Sequence, residues 1–288
     1  MTFAWLKGHG TENDFVLLPD HDGSVHGDLD PSFVAALCER RRGIGADGVL
    51  RVIRTSAIGL PSAGEWFMDY RNADGSISEM CGNGMRVFAL HLVQEGLVDP
   101  SEPFVVGTRD GDKTISFRQA QGAEAAQGSF RQAQGAEISV DMGVPQVQGV
   151  SKVSAAGNTW EARDVRTGNP HAVAFVDRLG DAGTLLTQPE FDESVYPEGV
   201  NIEFVVREGE RHVAMRVHER GSGETRSCGT GACAVAVATA VADGAERPIT
   251  YRVDVPGGTV HVSWNADDHI VLTGPAQIVA RGTMDWTA

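Results

Sequence analysis

The chain has 288 residues, 41% of them hydrophobic, enough for a well-buried core and for two domains rather than one. A formal net charge of −15 and a pI near 4.9 argue against nucleic acid and anionic membrane surfaces as partners. The start of the chain, Met1 to Lys7, shows no apolar signal segment, and the longest small-and-apolar run, Ala232 to Ala242, is far short of the ~20 residues that span a bilayer. A soluble cytoplasmic protein is expected.

In chain order, a turn over residues 8–13 leads to a strand over 14–18. A helix is expected over 31–41, with Pro31 in its first turn. Gly43 to Gly48 and a strand over 49–54 follow, then loop over 55–64, a strand over 66–70 and the turn signal Asn72-Ala73-Asp74-Gly75. A helix beginning after Cys81 should end near Gly96, and short strands continue from Phe104 to Val140. The second half repeats this order. Residues 167–171 form a turn and 173–176 a strand, with further strands over 201–206 and 212–218. A helix from Cys228 to about Gly244 and closing strands over 249–255, 259–264 and 269–273 complete it. Each half therefore reads as many strands and one long helix, an α+β unit built twice and joined near residue 135.

Two stretches stand out as copies of one device, Cys81-Gly82-Asn83-Gly84 and Cys228-Gly229-Thr230-Gly231. Nine residues upstream of each cysteine stands a polar side chain, Asn72 and Glu219. At the start of a helix, the unpaired first-turn N–H groups and the positive end of the macrodipole favour a thiolate. The glycines let a substrate approach the backbone. Four cysteines in a chain this long are not a secreted disulfide scaffold, and with no C-x2-C pair and no matching histidine spacing they do not read as a zinc site. Cys38 sits in an apolar helical pattern and reads as an inert buried thiol; Cys233 is evenly balanced between that reading and a functional one.

Asn13, Asn72, Asn83, Asn169 and Asn201 fall in turns at strand ends. Turn chemistry alone would explain any one of them. Five around two cysteine devices suit a substrate that carries both carboxylate and ammonium groups. His171 and Glu219 are candidates to adjust a thiol whose ordinary pKa of ~8.5 leaves little thiolate at neutral pH. Arg220 could hold a substrate carboxylate with both arms of its guanidinium. Gly43-x-Gly45-x-x-Gly48 matches a dinucleotide fingerprint by letters only, since a helix precedes it and a strand follows, the reverse of what that fingerprint needs. Residues 117–124 recur letter for letter as 130–137; this reads as a tandem duplication in a surface hairpin.

These motifs, with Gly10 to Val16, Gly45-Ala46-Asp47-Gly48, Asp141-Met142-Gly143, Gly168-Asn169-Pro170-His171, Asn201-Ile202-Glu203 and Glu219-Arg220-Gly221, resemble the diaminopimelate epimerase family nearly end to end. Proline racemases share the pattern but carry histidine where this chain has Asn83. The resemblance implies an α+β fold of two similar domains, each a β-barrel-like sheet around a central helix. The domains would be residues 1–134, joined by a C-terminal strand over 275–288, and residues 135–274. It implies conversion of LL-2,6-diaminopimelate to the meso isomer, for lysine and peptidoglycan synthesis, by a homodimer that uses neither pyridoxal phosphate nor metal. It also implies Cys81 and Cys228 as the two bases, His171 and Glu219 as adjusters of the thiols, and Asn13, Asn72, Gly82, Asn83, Asn169, Asn201, Glu219, Arg220, Gly229 and Thr230 as substrate contacts. Some relatives carry a substrate-contacting glutamine at the position of Gly48, which glycine cannot supply. Other readings are a proline or hydroxyproline-type racemase and a dithiol redox sensor. Redox pairs usually stand close together as C-x-x-C, so the 147-residue separation of Cys81 and Cys228 favours catalysis.

Overall fold

The computed structural model describes residues 1–118 and 136–286. The duplicated tract lies, apart from its first two and last two residues, outside the described residues, and so does the hairpin expected there. The fold is α+β, in two compact units: Met1–Val140 with Pro275–Ala288, and Asp141–Gly274. Among the described residues no helix is long and apolar enough to cross a membrane.

The first unit begins with the hairpin β1 (Thr2–Gly10) and β2 (Asn13–Pro19), then helix α1 (Pro31–Cys38), β3 (Gly48–Arg54), the single turn α2 (Thr55–Ile58) and β4 (Trp66–Asn72). Helix α3 (Gly82–Gln94) follows, with β5 (Phe104–Thr108), β6 (Gly111–Arg118) and β7 (Glu137–Gly143). The second unit runs β8 (Gln146–Ala155), β9 (Asn158–Thr167), β10 (Asn169–Phe175), β11 (Glu190–Phe191), β12 (Asn201–Gly209), β13 (His212–Glu219) and β14 (Gly223–Thr225). Helix α4 (Gly229–Asp243), β15 (Ile249–Val255), β16 (Gly258–Trp264) and β17 (Ile270–Gly274) complete it, and β18 (Gln277–Asp285) returns to pair antiparallel with β1 of the first unit.

The pairing sequence is the same twice. In the first unit β1–β2 is antiparallel, β2–β3 parallel and β3–β4 antiparallel; after α3, β4–β5 is parallel and β5–β6–β7 antiparallel. In the second, β9–β10 is antiparallel, β10–β12 parallel and β12–β13 antiparallel; after α4, β13–β15 is parallel and β15–β16–β17 antiparallel. Each sheet curves around its own long helix, and both helices are buried on all faces over most of their length. This is why α3 and α4 read as near-continuous apolar runs rather than amphipathic ones. The registers make Phe15 and Gly48 neighbours on β2 and β3, and His171 and Asn201 neighbours on β10 and β12.

Three local expectations shift. Helix α1 stops at Cys38 rather than Arg41, because the chain folds back and Ile44 N and Gly45 N both donate to Leu37 O, at 2.9 and 3.0 Å. A Cβ on Gly43 would lie 2.3 Å from Ala36 O, so only glycine passes there. The loop over 55–64 contains one helical turn, closed by left-handed Gly59. Asn169 and Pro170 belong to a strand rather than a turn, since β9 and β10 pair up to their connection at Gly168.

One buried charge cluster supports the first sheet. Asp69 on β4, fully buried, accepts from Arg51 Nη2 at 2.7 Å, Arg109 Nη2 at 2.8 Å and Arg71 Nε at 3.1 Å. Burial would raise its pKa, but Arg109, Arg51 and Arg71 together hold it below the ordinary carboxylate value. Removing one member of such a buried set strands the others. Asp69→Ala is therefore expected to destabilise the protein by about 3–5 kcal/mol in denaturant unfolding at pH 7. A depressed folded pKa contributes stability above the unfolded value of ~3.9, and that contribution is lost as pH falls. The gap between variant and wild type should narrow on acidification; a gap that widens would show that ion pairing at Asp69 is not the cause.

Candidate active site

Both cysteines sit where the sequence expects them, as N-caps. Cys81 has extended backbone (φ −143°, ψ 118°) and its Sγ accepts from Gly84 N at 3.4 Å; Cys228 has φ −123° and ψ 114°, and its Sγ accepts from Gly231 N at 3.3 Å. The sulfur replaces the usual Ser, Thr or Asp oxygen at this position. It is thereby fixed at the positive end of the helix, with the first-turn N–H groups of Gly82 and Asn83, or Gly229 and Thr230, alongside.

Around Cys81 the surroundings are amides. Asn13 Oδ1 lies 3.7 Å from Cys81 Sγ, where the thiol can donate to it, and it also accepts from Asn83 Nδ2 at 3.2 Å. Asn13 Nδ2 donates to Asp47 Oδ2 at 2.8 Å, which fixes the amide with its oxygen toward the cysteine. Asp47 in turn accepts from Arg40, which grips Asp14 with both arms at 3.0 and 2.8 Å. Behind Asn83, buried Arg86 donates to Asn83 Oδ1 at 3.0 Å and Thr11 Oγ1 at 3.2 Å. Thr11 and Glu12 adopt left-handed backbone (φ 49° and 64°), the tight turn that presents Asn13. Asn72, by contrast, bonds within its own turn, Nδ2 to Ser76 Oγ at 2.9 Å.

Around Cys228 the surroundings are ionisable. Thr230 Oγ1 lies 3.5 Å from the sulfur, and Thr167 Oγ1 donates to Thr230 O at 2.9 Å, pinning the first turn of α4 to the end of β9. Glu219, at the end of β13, accepts from Thr225 Oγ1, and its charge acts on the Cys228 thiol. His171 on β10 is fully buried, with Nδ1 2.6 Å from Oε1 of the fully buried Glu203 on β12. Asn201, its register neighbour, accepts from Arg220 N at 2.9 Å, and Arg220 Nη1 donates to Glu198 O at 2.8 Å. Asn169 opens β10 and is half-buried.

The two halves thus bring Asn13 and Asn83 to Cys81, and Glu219 and Thr230 to Cys228. Glu203 was missed as a site residue. Its signal was a single carboxylate inside the apolar run from Ile202 to Val206. Asp47, Arg86 and Thr225 were missed as supports. Gly48 has a structural reason: a Cβ there would lie 2.6 Å from Arg71 O and 2.7 Å from the Tyr70 ring.

One electrostatic expectation reverses. A helix start alone lowers a thiol pKa, but the Cys228 thiol is pushed well up, by burial first and then by the charges of Glu219 and Glu203; the bonds from Thr230 and Gly231 N only partly oppose this. The Glu219 carboxyl is also pushed up by burial, against the favourable contributions of Thr225, His171 and the thiol. Cys38 behaves as the sequence suggested, buried with its thiol raised to about 11 by desolvation.

Solved structures share this architecture at low identity. A phenazine-biosynthesis PhzF-family protein from Bacillus anthracis superposes with a TM-score of 0.68 at 16% identity, covering 99% of this chain and all of that one. A hydroxyproline epimerase from Agrobacterium vitis superposes at 0.69 and 16% identity, over 98% of this chain and 92% of that one. The fold is thus that of the diaminopimelate epimerase-like proteins, a class that includes racemases and epimerases. Within it, the diaminopimelate epimerase family model matches residues 5–146 and 164–279. Diaminopimelate epimerases from Streptomyces coelicolor (52% identical, over 98% of this chain and 95% of that one) and Mycolicibacterium smegmatis (46%, over 99% and 97%) are similar end to end. The chain belongs to the diaminopimelate epimerase family.

The difference between the two thiols is measurable. Iodoacetamide should modify half-buried Cys81 before buried Cys228, and Cys228 should react appreciably only well above the ordinary thiol pKa. Peptide mapping of partly alkylated folded protein that finds Cys228 labelled first at neutral pH would refute this ordering.

Proposed function

We propose that the chain epimerises LL-2,6-diaminopimelate to the meso isomer in the cytoplasm, as a homodimer, without pyridoxal phosphate or metal, supplying lysine and peptidoglycan synthesis. The observation that carries the reading is the duplicated cysteine N-cap, one per unit, together with family membership. The two units serve as its two domains.

The chemistry constrains the assignment. An amino-acid α-proton is weakly acidic, so charge developing on the carboxylate must be stabilised by the protein; the first-turn N–H groups of Gly82, Asn83, Gly229 and Thr230 are suited to this. Inversion needs a base on one face of the carbon and an acid on the other. Cys81 and Cys228 fill these roles. Burial and two carboxylates favour the protonated form of the Cys228 thiol. In the reverse direction the roles exchange. Glu219, whose charge acts on the Cys228 thiol, and His171 are the groups that adjust that thiol. Asn13, Asn72, Asn83, Asn169, Asn201, Glu219 and Arg220 hold the two ends of the substrate. Amides suit this because they orient both carboxylate and ammonium groups.

Cys81→Ala and Cys228→Ala should each abolish epimerisation while retaining calorimetric binding of LL-diaminopimelate, since loss of either thiol removes one face of the reaction. In deuterated water, early product should carry solvent deuterium at the inverted carbon while recovered substrate carries little. Either variant within about tenfold of wild-type turnover, ~1.4 kcal/mol in the barrier, or product retaining the substrate's own proton, would exclude the two-thiol scheme.

A further inference from the structure

The repeated pairing order supplies an internal comparison. β2 and β3 in the first unit hold the places of β10 and β12 in the second, and the registers pair Phe15 with Gly48 and His171 with Asn201. Two residues further along, Leu50 on β3 corresponds to Glu203 on β12. The helix starts confirm the match. A Cβ built on Gly84 would meet Leu50 Cδ2 at 3.2 Å and Phe15 Cζ at 3.4 Å; one built on Gly231 would meet Glu203 Oε1 at 2.6 Å and Cys228 Sγ at 3.2 Å. The same floor is Phe–Leu beneath the Cys81 turn and His–Glu beneath the Cys228 turn.

The scaffold therefore does not require a buried ion pair in this place. Burying such a pair carries a desolvation penalty that their attraction must first offset, and apolar residues of similar volume often do as well or better. Nor is the pair fully satisfied: among the described residues neither His171 Nε2 nor Glu203 Oε2, both buried, has a hydrogen-bond partner. A buried polar atom without a partner calls for an explanation, and in a site a role in the reaction supplies one.

We propose that Glu203 is a positioning residue of the reaction: it accepts a hydrogen bond from Nδ1–H of His171, fixes that tautomer, and leaves Nε2 as the proton-accepting atom of the Cys228 cluster. The proposal rests on the reading of Cys228 as an acid–base group. An ionised carboxylate only accepts, so the proton of this 2.6 Å bond belongs on Nδ1. A histidine whose one nitrogen is so engaged presents the other for chemistry. The groups that act on the imidazole are Glu203, Glu219 and Asp164, all carboxylates. When the Cys228 S–H bond breaks and its proton passes within the cluster to Nε2, the His171–Glu203 pair becomes neutral and no longer repels the thiolate left behind. The pair thus links loss of the Cys228 proton to a gain of one nearby.

The test uses the full-length protein, 15N-labelled at histidine, as wild type, Glu203→Leu and Glu203→Gln. Leucine is what the first unit already places there, so the variant is expected to fold. Long-range 15N–1H spectra should show the wild-type His171 proton on Nδ1. Glu203→Leu should move it toward Nε2 and lower kcat for LL-diaminopimelate at least tenfold, with KM within threefold. Glu203→Gln, which keeps an acceptor oxygen, should restore the Nδ1–H form and part of kcat. Wild-type His171 protonated only on Nε2, or a folded Glu203→Leu with kcat within twofold of wild type, overturns the proposal alone. Turnover by Cys228→Ala overturns the thiol assignment and the proposal with it.

Discussion

The feature on which the rest of this molecule depends is a sulfur accepting the N–H of the third helical residue. That bond fixes each cysteine in extended backbone at the boundary between loop and helix, and it fixes where the helix begins. The helix start must then lie directly on the strands beneath it. At the third position there is no space for a methyl group against Glu203 in one unit and little against Leu50 and Phe15 in the other, so glycine follows from packing as much as from substrate access. Once the helix is seated, its remaining length is enclosed by the curved sheet, which explains the continuous burial of Met85 to Val93 and Ala232 to Ala240.

Given two copies of one scaffold, what differs between them defines the chemistry. The first copy surrounds its thiol with amides whose orientation is enforced from behind, Asp47 holding Asn13 and Arg86 holding Asn83. The ionic groups there, Lys7, Asp14, Arg40 and Asp47, neutralise one another one layer further out. The second copy puts carboxylates and an imidazole in direct reach of the thiol. Both sulfurs see a helix N-terminus worth at most ~2 kcal/mol. For Cys228, burial and two carboxylates outweigh it. The asymmetry of the thiols therefore comes from side chains rather than from the helices.

What the sequence made legible was the local signal. Cys–Gly–x–Gly ahead of an apolar run states where a helix starts, and nothing in the tertiary structure overrides it. The twofold repeat of strands and helix was legible for the same reason, as was the apolar setting of Cys38. The misses are non-local. That helix α1 would stop at Cys38 depended on the chain folding back onto Leu37 O, and that Asn169 would pair in a strand depended on β9. The thiol of Cys228 is the sharpest case. Its sequence neighbours predict a lowered pKa, while the groups that raise it come from strands that precede it by nine and by twenty-five residues.

Glu203 shows how such a residue becomes visible. In the sequence it is one acidic letter in an apolar strand. In the fold it is completely buried, with His171 as its hydrogen-bonded partner, and only the comparison with Leu50 shows that packing did not demand it. A duplicated fold carries its own control experiment. Where two equivalent positions hold apolar residues in one copy and an ion pair in the other, stability accounts for the former and leaves the latter to be explained by what the site must do. Here that is to hold or release one proton at a buried position beside a thiol. A lone carboxylate would only oppose the thiolate. A carboxylate paired with an imidazole can change its net charge by one without moving a backbone atom, which the Phe15–Leu50 floor of the first copy cannot do.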